Sequence, residues 1–321
     1  MKSRQLLGVV MFLVCAFLWG STFVAQCETG VGPFTYLTMR SVIAVIFLGI
    51  IIGVTDIRRK LVSPEKKSTK STKTLLIGGV VCGCALFLAS SLQQIGIDKG
   101  TTAGKAGFIT AMYLLIVPIL GLFMGKKVRG LHWVCVVLAI AGLFMLCLTE
   151  NITEFSFGAL FSMQTLGELS LQSCDIYVIA CAFVYAVHIL AIDKVIPSVD
   201  GLKLSFMQFS VTAVLAAVAM FIFESPSVGE ILDSWVSILY AGILSSGVAY
   251  TLQILAQKFT PAAVASILMS LESTFAVLSA IAFSAITTGV PELPTGYEWI
   301  GIVLMFLAIV ISQVPEKKKA K

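Results

Sequence analysis

The feature that most constrains the fold of this chain is a series of ten long apolar runs, which fill most of its 321 residues. A helix needs about 20 mostly apolar residues to cross the hydrocarbon core of a bilayer, and each run has about this length. Only 12% of the residues are charged, too few to cover a soluble globule of this size. The sequence therefore predicts an all-α, polytopic membrane protein of ten transmembrane helices. The runs lie near residues 5–24, 34–54, 75–96, 104–124, 129–148, 175–193, 203–223, 235–256, 262–285 and 297–314.

The positions of the basic residues predict the topology, because lysine and arginine in short loops mark the cytoplasmic side. Both chain ends and every second loop carry nearly all of the 22 basic residues. The other side has only Lys99 and Lys105, and Arg40 lies inside a helix. Both termini are therefore predicted to be cytoplasmic, which requires an even number of helices. We expect a multi-pass protein of the plasma membrane.

An internal repeat divides the chain into two halves. The stretch VCAFLWGSTFVAQ at 14–26 returns as ACAFVYAVHILAI at 180–192, and SLQ at 91–93 returns as TLQ at 251–253. A third pair, WVCVVL and WIGIVL, begins at Trp133 and Trp299. Five helices per half is an odd number, so the halves are predicted to lie in opposite orientations, an arrangement typical of secondary transporters. The predicted boundaries are 1–150 and 174–315 for the two five-helix repeats, 151–173 for an extracytoplasmic linker and 316–321 for a basic cytoplasmic tail.

Four stretches carry a resemblance to a known family. They are WGSTF at 19–23, KAGFITAMYLLIVPILGLF at 105–123, CAFVYAVHIL at 181–190 and SLESTFAVLSA at 270–280. Together they resemble the EamA family of the drug/metabolite transporter superfamily over residues 6–314. The resemblance implies ten helices in two inverted halves and transport of small organic solutes, often as efflux. Ser273 stands where this family often has a proline, which argues against an interruption of the ninth helix.

Charged residues inside a bilayer are costly and are candidates for function. Glu272 lies about 16 Å along its helix at 1.5 Å per residue, near the midplane. It could contact a substrate ammonium group, couple transport to protons, or tie helices together. Arg40 could bind a substrate carboxylate, extend outward to the membrane surface, or pair with Glu28. Lys105 lies nearer a helix end, where it could either take part in function or extend structurally to the membrane surface.

His188 occupies the place of Thr22 in the repeat and is the second candidate for proton coupling, although a lone histidine among apolar residues also packs structurally. Polar and aromatic side chains deep in the helices are candidates for a solute pocket, because such pockets combine aromatic walls with a few polar groups. The predicted substrate-binding residues are Trp19, Thr22, Arg40, Gln93, Tyr113, Tyr185, Tyr250, Gln253 and Glu272.

The sequence has no motif for phosphate binding, zinc-dependent hydrolysis or a serine nucleophile, so no enzyme activity, cofactor, metal or nucleic-acid partner is predicted. We expect a secondary transporter that exports an amino-acid-like or drug-like metabolite by alternating access around a midplane cavity. Its expected partners are the small-molecule substrate, the lipid bilayer and protons as the coupling ion. A channel or a membrane scaffold without transport activity is the alternative.

Overall fold

Helices make up all of the regular secondary structure in the part of the chain that the computed structural model describes, and no strand occurs there. Eight helical units in this part are long and apolar enough to cross a membrane, and two more, at 130–142 and 299–312, are shorter apolar helices. Each predicted run coincides with one of these units. The described residues are 2–27, 29–62, 71–101, 103–147, 173–289, 293, 296–312 and 314.

The described part of the first half contains six helical segments. These are α1 (Lys2–Cys27), α2 (Pro33–Val62), α3 (Thr72–Asp98), α4 (Ala103–Ala111), α5 (Tyr113–Phe123) and α6 (Gly130–Cys147). The described part of the second half contains more segments, because three of its spans are divided or extended. They are α7 (Asp175–Val195), a 3-10 turn (Ile196–Ser198), α8 (Gly201–Phe223), α9 (Val228–Asp233), α10 (Trp235–Tyr240), a π-helix (Ala241–Ala249), α11 (Tyr250–Gln257), α12 (Ala262–Met269), α13 (Glu272–Thr288) and α14 (Gly296–Ser312).

Local sequence accounts for several of the helix ends. The Asp200 side chain accepts hydrogen bonds from the backbone amides of Leu202 and Lys203 and so begins α8, as expected of an aspartate N-cap. Ser71 accepts from the amide of Thr74 at the start of α3. Gly289, with φ of +73°, ends α13 in the left-handed conformation that glycine adopts without a steric penalty.

The helices pack in matched pairs. Helix α6 packs on α14, and α2 packs on α8. Other contacts have a counterpart between the spans at the same places in the other half. The contact of α3 with α7 corresponds to that of α1 with the π-helix and α11. The contact of α1 with α13 corresponds to that of α7 with α4 and α5. Exchanging each span of the first half for the corresponding span of the second half therefore exchanges these particular packed pairs among themselves.

Lysines and arginines from distant parts of the chain meet at one end of the bundle, called the basic end from here on. Lys203 pairs with Asp56 at 3.0 Å, Lys126 pairs with Asp193, and Arg129 donates to the carbonyl of Val314 at 3.1 Å. The opposite end is tied by Glu224, whose carboxylate accepts from the amides of Phe34 and Thr35, each at 2.7 Å.

Candidate functional site

A central cavity lies among helices from both halves of the chain and contains about 480 Å³ of empty space, which includes space open to the solvent. All nine residues predicted to bind substrate line it, so the structure brings together side chains that are up to 253 positions apart in the sequence, from Trp19 to Glu272. The remaining lining residues are Phe23, Gln26, Thr110, Ile189, Ser245 and Met269.

The residues that line the cavity are spread along the length of the bundle. Gln26 is the second-last residue of α1, and Arg40 lies two turns into α2 from Pro33. Ile189 on α7 and Gln253 on α11 lie nearer the basic end, within two turns of the helix ends at Val195 and Gln257. The lining residues therefore reach from Gln26 near the opposite end to these two residues on the side of the basic end.

Glu272 is the first residue of α13 and is 5% exposed. Its Oε1 accepts a hydrogen bond of 3.0 Å from the hydroxyl of Tyr113, which is the first residue of α5. Both side chains thus begin the second part of an interrupted span. The start of a helix carries a partial positive charge, so the beginning of α13 is a favourable place for a carboxylate.

The interruption before Glu272 differs from the expectation based on Ser273, since the span is divided without a proline. Ser270 and Leu271 have ψ near −13° and lie outside regular α-helix. The hydroxyls of Ser266 and Ser270 each bond to the carbonyl three residues earlier, at 3.0 and 2.8 Å. Such back-bonding bends helices. Ser273 donates to the carbonyl of Gly107 at 3.0 Å and so joins α13 to α4.

Arg40 is buried in the wall of the cavity, 3% exposed, so its guanidinium does not extend to the membrane surface. Its Nη2 donates to the hydroxyl of Ser90 at 3.4 Å, and its Cζ lies 5.9 Å from the ring centre of Tyr36. No carboxylate in the described residues forms an ion pair with it, and its Nε has no acceptor there. Glu28, the predicted alternative partner, lies outside the described residues.

A chain of hydroxyl groups continues from Arg40 across the cavity. Ser90 lies 3.1 Å from the hydroxyl of Tyr185, which lies 3.1 Å from that of Tyr250. The rings of Tyr250 and Trp19 are 4.8 Å apart. Tyr250 directly follows the π-helix, a rare conformation that is frequent at functional sites. The cavity therefore has an aromatic wall whose hydroxyl groups are linked through Ser90 to the guanidinium of Arg40.

His188 lies behind this wall and does not line the cavity. It is fully buried, its Nε2 is 3.1 Å from Oε1 of Gln208, and its ring is 6.2 Å from that of Tyr250. The structure thus separates the two residues predicted to couple protons, with Glu272 in the cavity and His188 one layer away. The side chain of Lys105 lies outside the described part of the chain.

A second cavity of about 410 Å³ lies at the basic end. Val117 and Leu190 line it, and they follow the central-cavity residues Tyr113 and Ile189 by one turn and by one residue, respectively. One layer of side chains therefore separates the two cavities. The ion pair of Lys126 with Asp193 lies in the wall of the second cavity and joins the segment after α5 to α7.

Six of the lining residues were not among the predicted substrate-binding residues. One of them, Thr110, accepts a hydrogen bond of 3.1 Å from Nε2 of the predicted residue Gln93. Phe23, Gln26 and Ile189 follow Trp19, Thr22 and Tyr185 by four residues each, so helical periodicity would have placed them on the same faces. Ser245 lies in the π-helix and Met269 at the end of α12. Their exposure to the cavity depends on local departures from α-helix, for which the sequence offers no comparable signal.

Comparison with known proteins agrees with this architecture. The profile of the EamA-like transporter family matches residues 6–148 and 172–313. The chain belongs to the EamA-like transporter family. This EamA protein is 27% identical over 312 residues to a protein of Archaeoglobus fulgidus described as an uncharacterized transporter, covering 96% of this chain and 86% of that protein. It also superposes on a solved crystal structure with a TM-score of 0.67 and 19% identity, covering 95% and 96% of the two chains, which shows a shared fold.

The family and the fold establish that this EamA protein is a multi-pass membrane transporter. Solute pockets are concave, with apolar and aromatic walls and a few polar groups, and the central cavity has these properties. Its aromatic wall and its two buried charged side chains suit a small polar organic molecule.

Proposed function

We propose that this protein is a secondary carrier that exports a small organic solute, amino-acid-like or drug-like, by alternating access around the central cavity. The observation that carries the proposal is the cavity itself, which is enclosed by both halves of the chain and holds two buried, oppositely charged side chains. A binding site at the junction of two repeats, formed in part by interrupted helices, is the arrangement of many secondary transporters.

The matched packing supports two inverted repeats of five helices, 1–150 and 174–315. Span α4–α5 is interrupted at Met112, and its counterpart α12–α13 is interrupted at Ser270 and Leu271. Alignment at these interruptions pairs Tyr113 with Glu272, the two residues that are hydrogen-bonded to each other. The two half-sites therefore meet at the centre of the cavity.

The orientation follows from the positive-inside rule, with the basic end and both termini in the cytoplasm of a cell whose plasma membrane holds the protein. In that orientation the central cavity extends toward the outside. The layer formed by Val117 and Leu190, together with the Lys126–Asp193 pair, closes the cytoplasmic side. Opening of this layer and closure of the outer side would give the inward-facing state.

Protons are the proposed coupling ion, and Glu272 is the proposed coupling group. An ionised carboxylate in a dry site is costly unless it is paired, so Glu272 favours occupancy by either a proton or a cationic group of the substrate. Competition between them for one carboxylate produces exchange of substrate for protons. His188 is the second proposed coupling group. Because it packs behind Tyr250, its effect on the cavity would pass through that ring.

The carrier proposal is tested in proteoliposomes that contain the purified protein, with a panel of labelled amino acids and organic cations. We expect saturable uptake that is accelerated by unlabelled substrate inside the vesicles and driven by a pH gradient. Counterflow distinguishes a carrier from a channel, whose flux responds only to the net gradient. Flux without saturation or counterflow would support the channel alternative, and no flux of any panel member would contradict transport of this solute class.

Truncation of the aromatic wall is expected to impair transport. Trp19→Ala and Tyr185→Ala each remove a ring that lines the cavity, and we expect a loss of about tenfold in substrate affinity, since such contacts contribute about 1.4 kcal/mol. Trp299→Ala is the matched control, because Trp299 is 53% exposed on the outer surface. Unchanged uptake by both wall variants, with normal membrane insertion, would assign these rings to packing alone.

A further inference from the structure

Two opposite charges face the central cavity, and neither has an ionic partner in the described structure. Arg40 is 3% exposed, and its one hydrogen bond within the described ranges goes to the hydroxyl of Ser90. Glu272 is 5% exposed and accepts, from the described residues, one hydrogen bond from the hydroxyl of Tyr113. No ion pair joins the two side chains to each other or to other groups in the described ranges.

The two halves of the protein contribute these charges unequally. When α2 and α8 are aligned at their first residues, Pro33 and Gly201, Arg40 corresponds to the neutral Gln208. Tyr113 corresponds in the same way to Glu272 at the starts of α5 and α13. One half thus supplies a cation and the other an anion, so the cavity has a positive side and a negative side.

Each unpaired charge is costly to bury. A solute with only a positive charge would neutralise Glu272 and leave Arg40 buried without a partner, which is strongly unfavourable. A solute with only a negative charge would pair with Arg40 and require Glu272 to hold a proton instead of a cationic group. A solute with both charges satisfies both side chains and brings no net charge into the membrane. The aromatic wall then contacts the apolar part of the same molecule.

We propose that the cavity selects a small zwitterion, whose carboxylate binds Arg40 beside Ser90 and whose ammonium group binds Glu272. This inference rests on the proposed carrier function and specifies its substrate class. The α-amino acids and short peptides share this chemistry. The planar guanidinium, with one Nη already oriented by Ser90, is suited to a bidentate bond with a carboxylate.

Trp19 provides a direct reporter of occupancy. It lines the cavity, and the other three tryptophans, at 133, 235 and 299, do not line it. Replacing those three with phenylalanine leaves a full-length protein whose fluorescence reports on the cavity. The probes share one apolar chain and differ in charge. Leucine carries both charges, 3-methylbutylamine carries only the positive charge, and 4-methylpentanoate carries only the negative charge. The dipeptide Ala-Ala tests a wider separation of the charges.

We expect leucine or Ala-Ala to bind at least about tenfold more tightly than the amine and the acid, as expected when one buried charge would otherwise lose its partner. Arg40→Gln is expected to equalise the affinities for leucine and the amine. Glu272→Gln is expected to equalise those for leucine and the acid. Lys73→Gln and Asp233→Asn, which remove exposed charges outside the cavity, are expected to leave the selectivity unchanged.

The outcomes separate this inference from the carrier function. Equal binding of a singly charged probe by the unsubstituted protein, or binding of none of the zwitterions, overturns the zwitterion site. Transport of a singly charged solute in that case preserves the carrier. Tight, selective binding of a zwitterion that never crosses the membrane of proteoliposomes supports the site and overturns the carrier. Calorimetric titration of the protein with all four tryptophans checks that the phenylalanine substitutions do not alter binding.

Discussion

Glu272→Gln is expected to abolish substrate flux driven by a pH gradient. The substitution keeps the size of the side chain and its ability to accept a hydrogen bond from Tyr113, but it removes the group that exchanges a proton for a cationic group. We expect gradient-driven flux in proteoliposomes to fall to the level of protein-free vesicles, while the protein remains folded and monodisperse in detergent.

Tyr113→Phe separates coupling from a structural tie between α5 and α13. It removes the hydrogen bond and retains the carboxyl group, so we expect the remaining flux to keep its dependence on the pH gradient, even where substrate affinity falls. Asp233→Asn, at an exposed site, is the control for loss of an acidic residue. Flux with the original pH dependence in Glu272→Gln, or flux in Tyr113→Phe that no longer responds to the pH gradient, would assign Glu272 to structure rather than to coupling.

Gly20→Ala is expected to destabilise the protein and abolish transport. A Cβ at Gly20 would lie 2.6 Å from the carbonyl oxygen of Glu272 and 2.7 Å from the backbone amide of Ala276. These are backbone atoms, so α1 and α13 must separate to accommodate one methyl group. Small residues at such contacts allow helices in membranes to approach closely. Overpacking typically costs about 1–3 kcal/mol, and here it also displaces the helix that carries Glu272.

Gly53→Ala is the matched control, because a Cβ at Gly53 would meet no atom within 4 Å. It makes the same chemical change inside a helix. We expect a lower apparent Tm and loss of uptake for Gly20→Ala and values near those of the unsubstituted protein for Gly53→Ala. Equal behaviour of the two variants would show that the contact between α1 and α13 tolerates an extra methyl group.

Hydropathy alone was sufficient to predict where the apolar helices lie, because every segment in a bilayer must satisfy its own backbone hydrogen bonds. Eight of these helical units are long and apolar enough to cross a membrane in the described part of the chain. The cavity residues were also predictable, since a charge or a deep polar aromatic inside a span needs an internal partner. Arg40 and Glu272 stand out for this reason, and both line the cavity.

Sequence was a poorer guide to which residues of the two halves correspond. A register that sets Pro118 against Ser273 pairs Val117 with Glu272, whereas the interruptions of the helices pair Glu272 with Tyr113. Serine side chains and packing against Gly107 accompany the interruption before Glu272, and such tertiary contacts are not encoded in a local motif. The depth of His188 behind Tyr185 and Tyr250 likewise depends on the packing of three helices.

The central claim is that the cavity opens alternately to the two sides of the membrane. The most direct test places a single cysteine at Thr22, a cavity-lining residue, in an otherwise cysteine-free protein, and measures its reaction with an impermeant thiol reagent from each side of oriented vesicles. We predict reaction from both sides. Asp193→Asn, which breaks the pair with Lys126, should raise the rate from the cytoplasmic side and lower it from the outside. Reaction from one side only, or rates that rise on both sides together, would contradict alternating access.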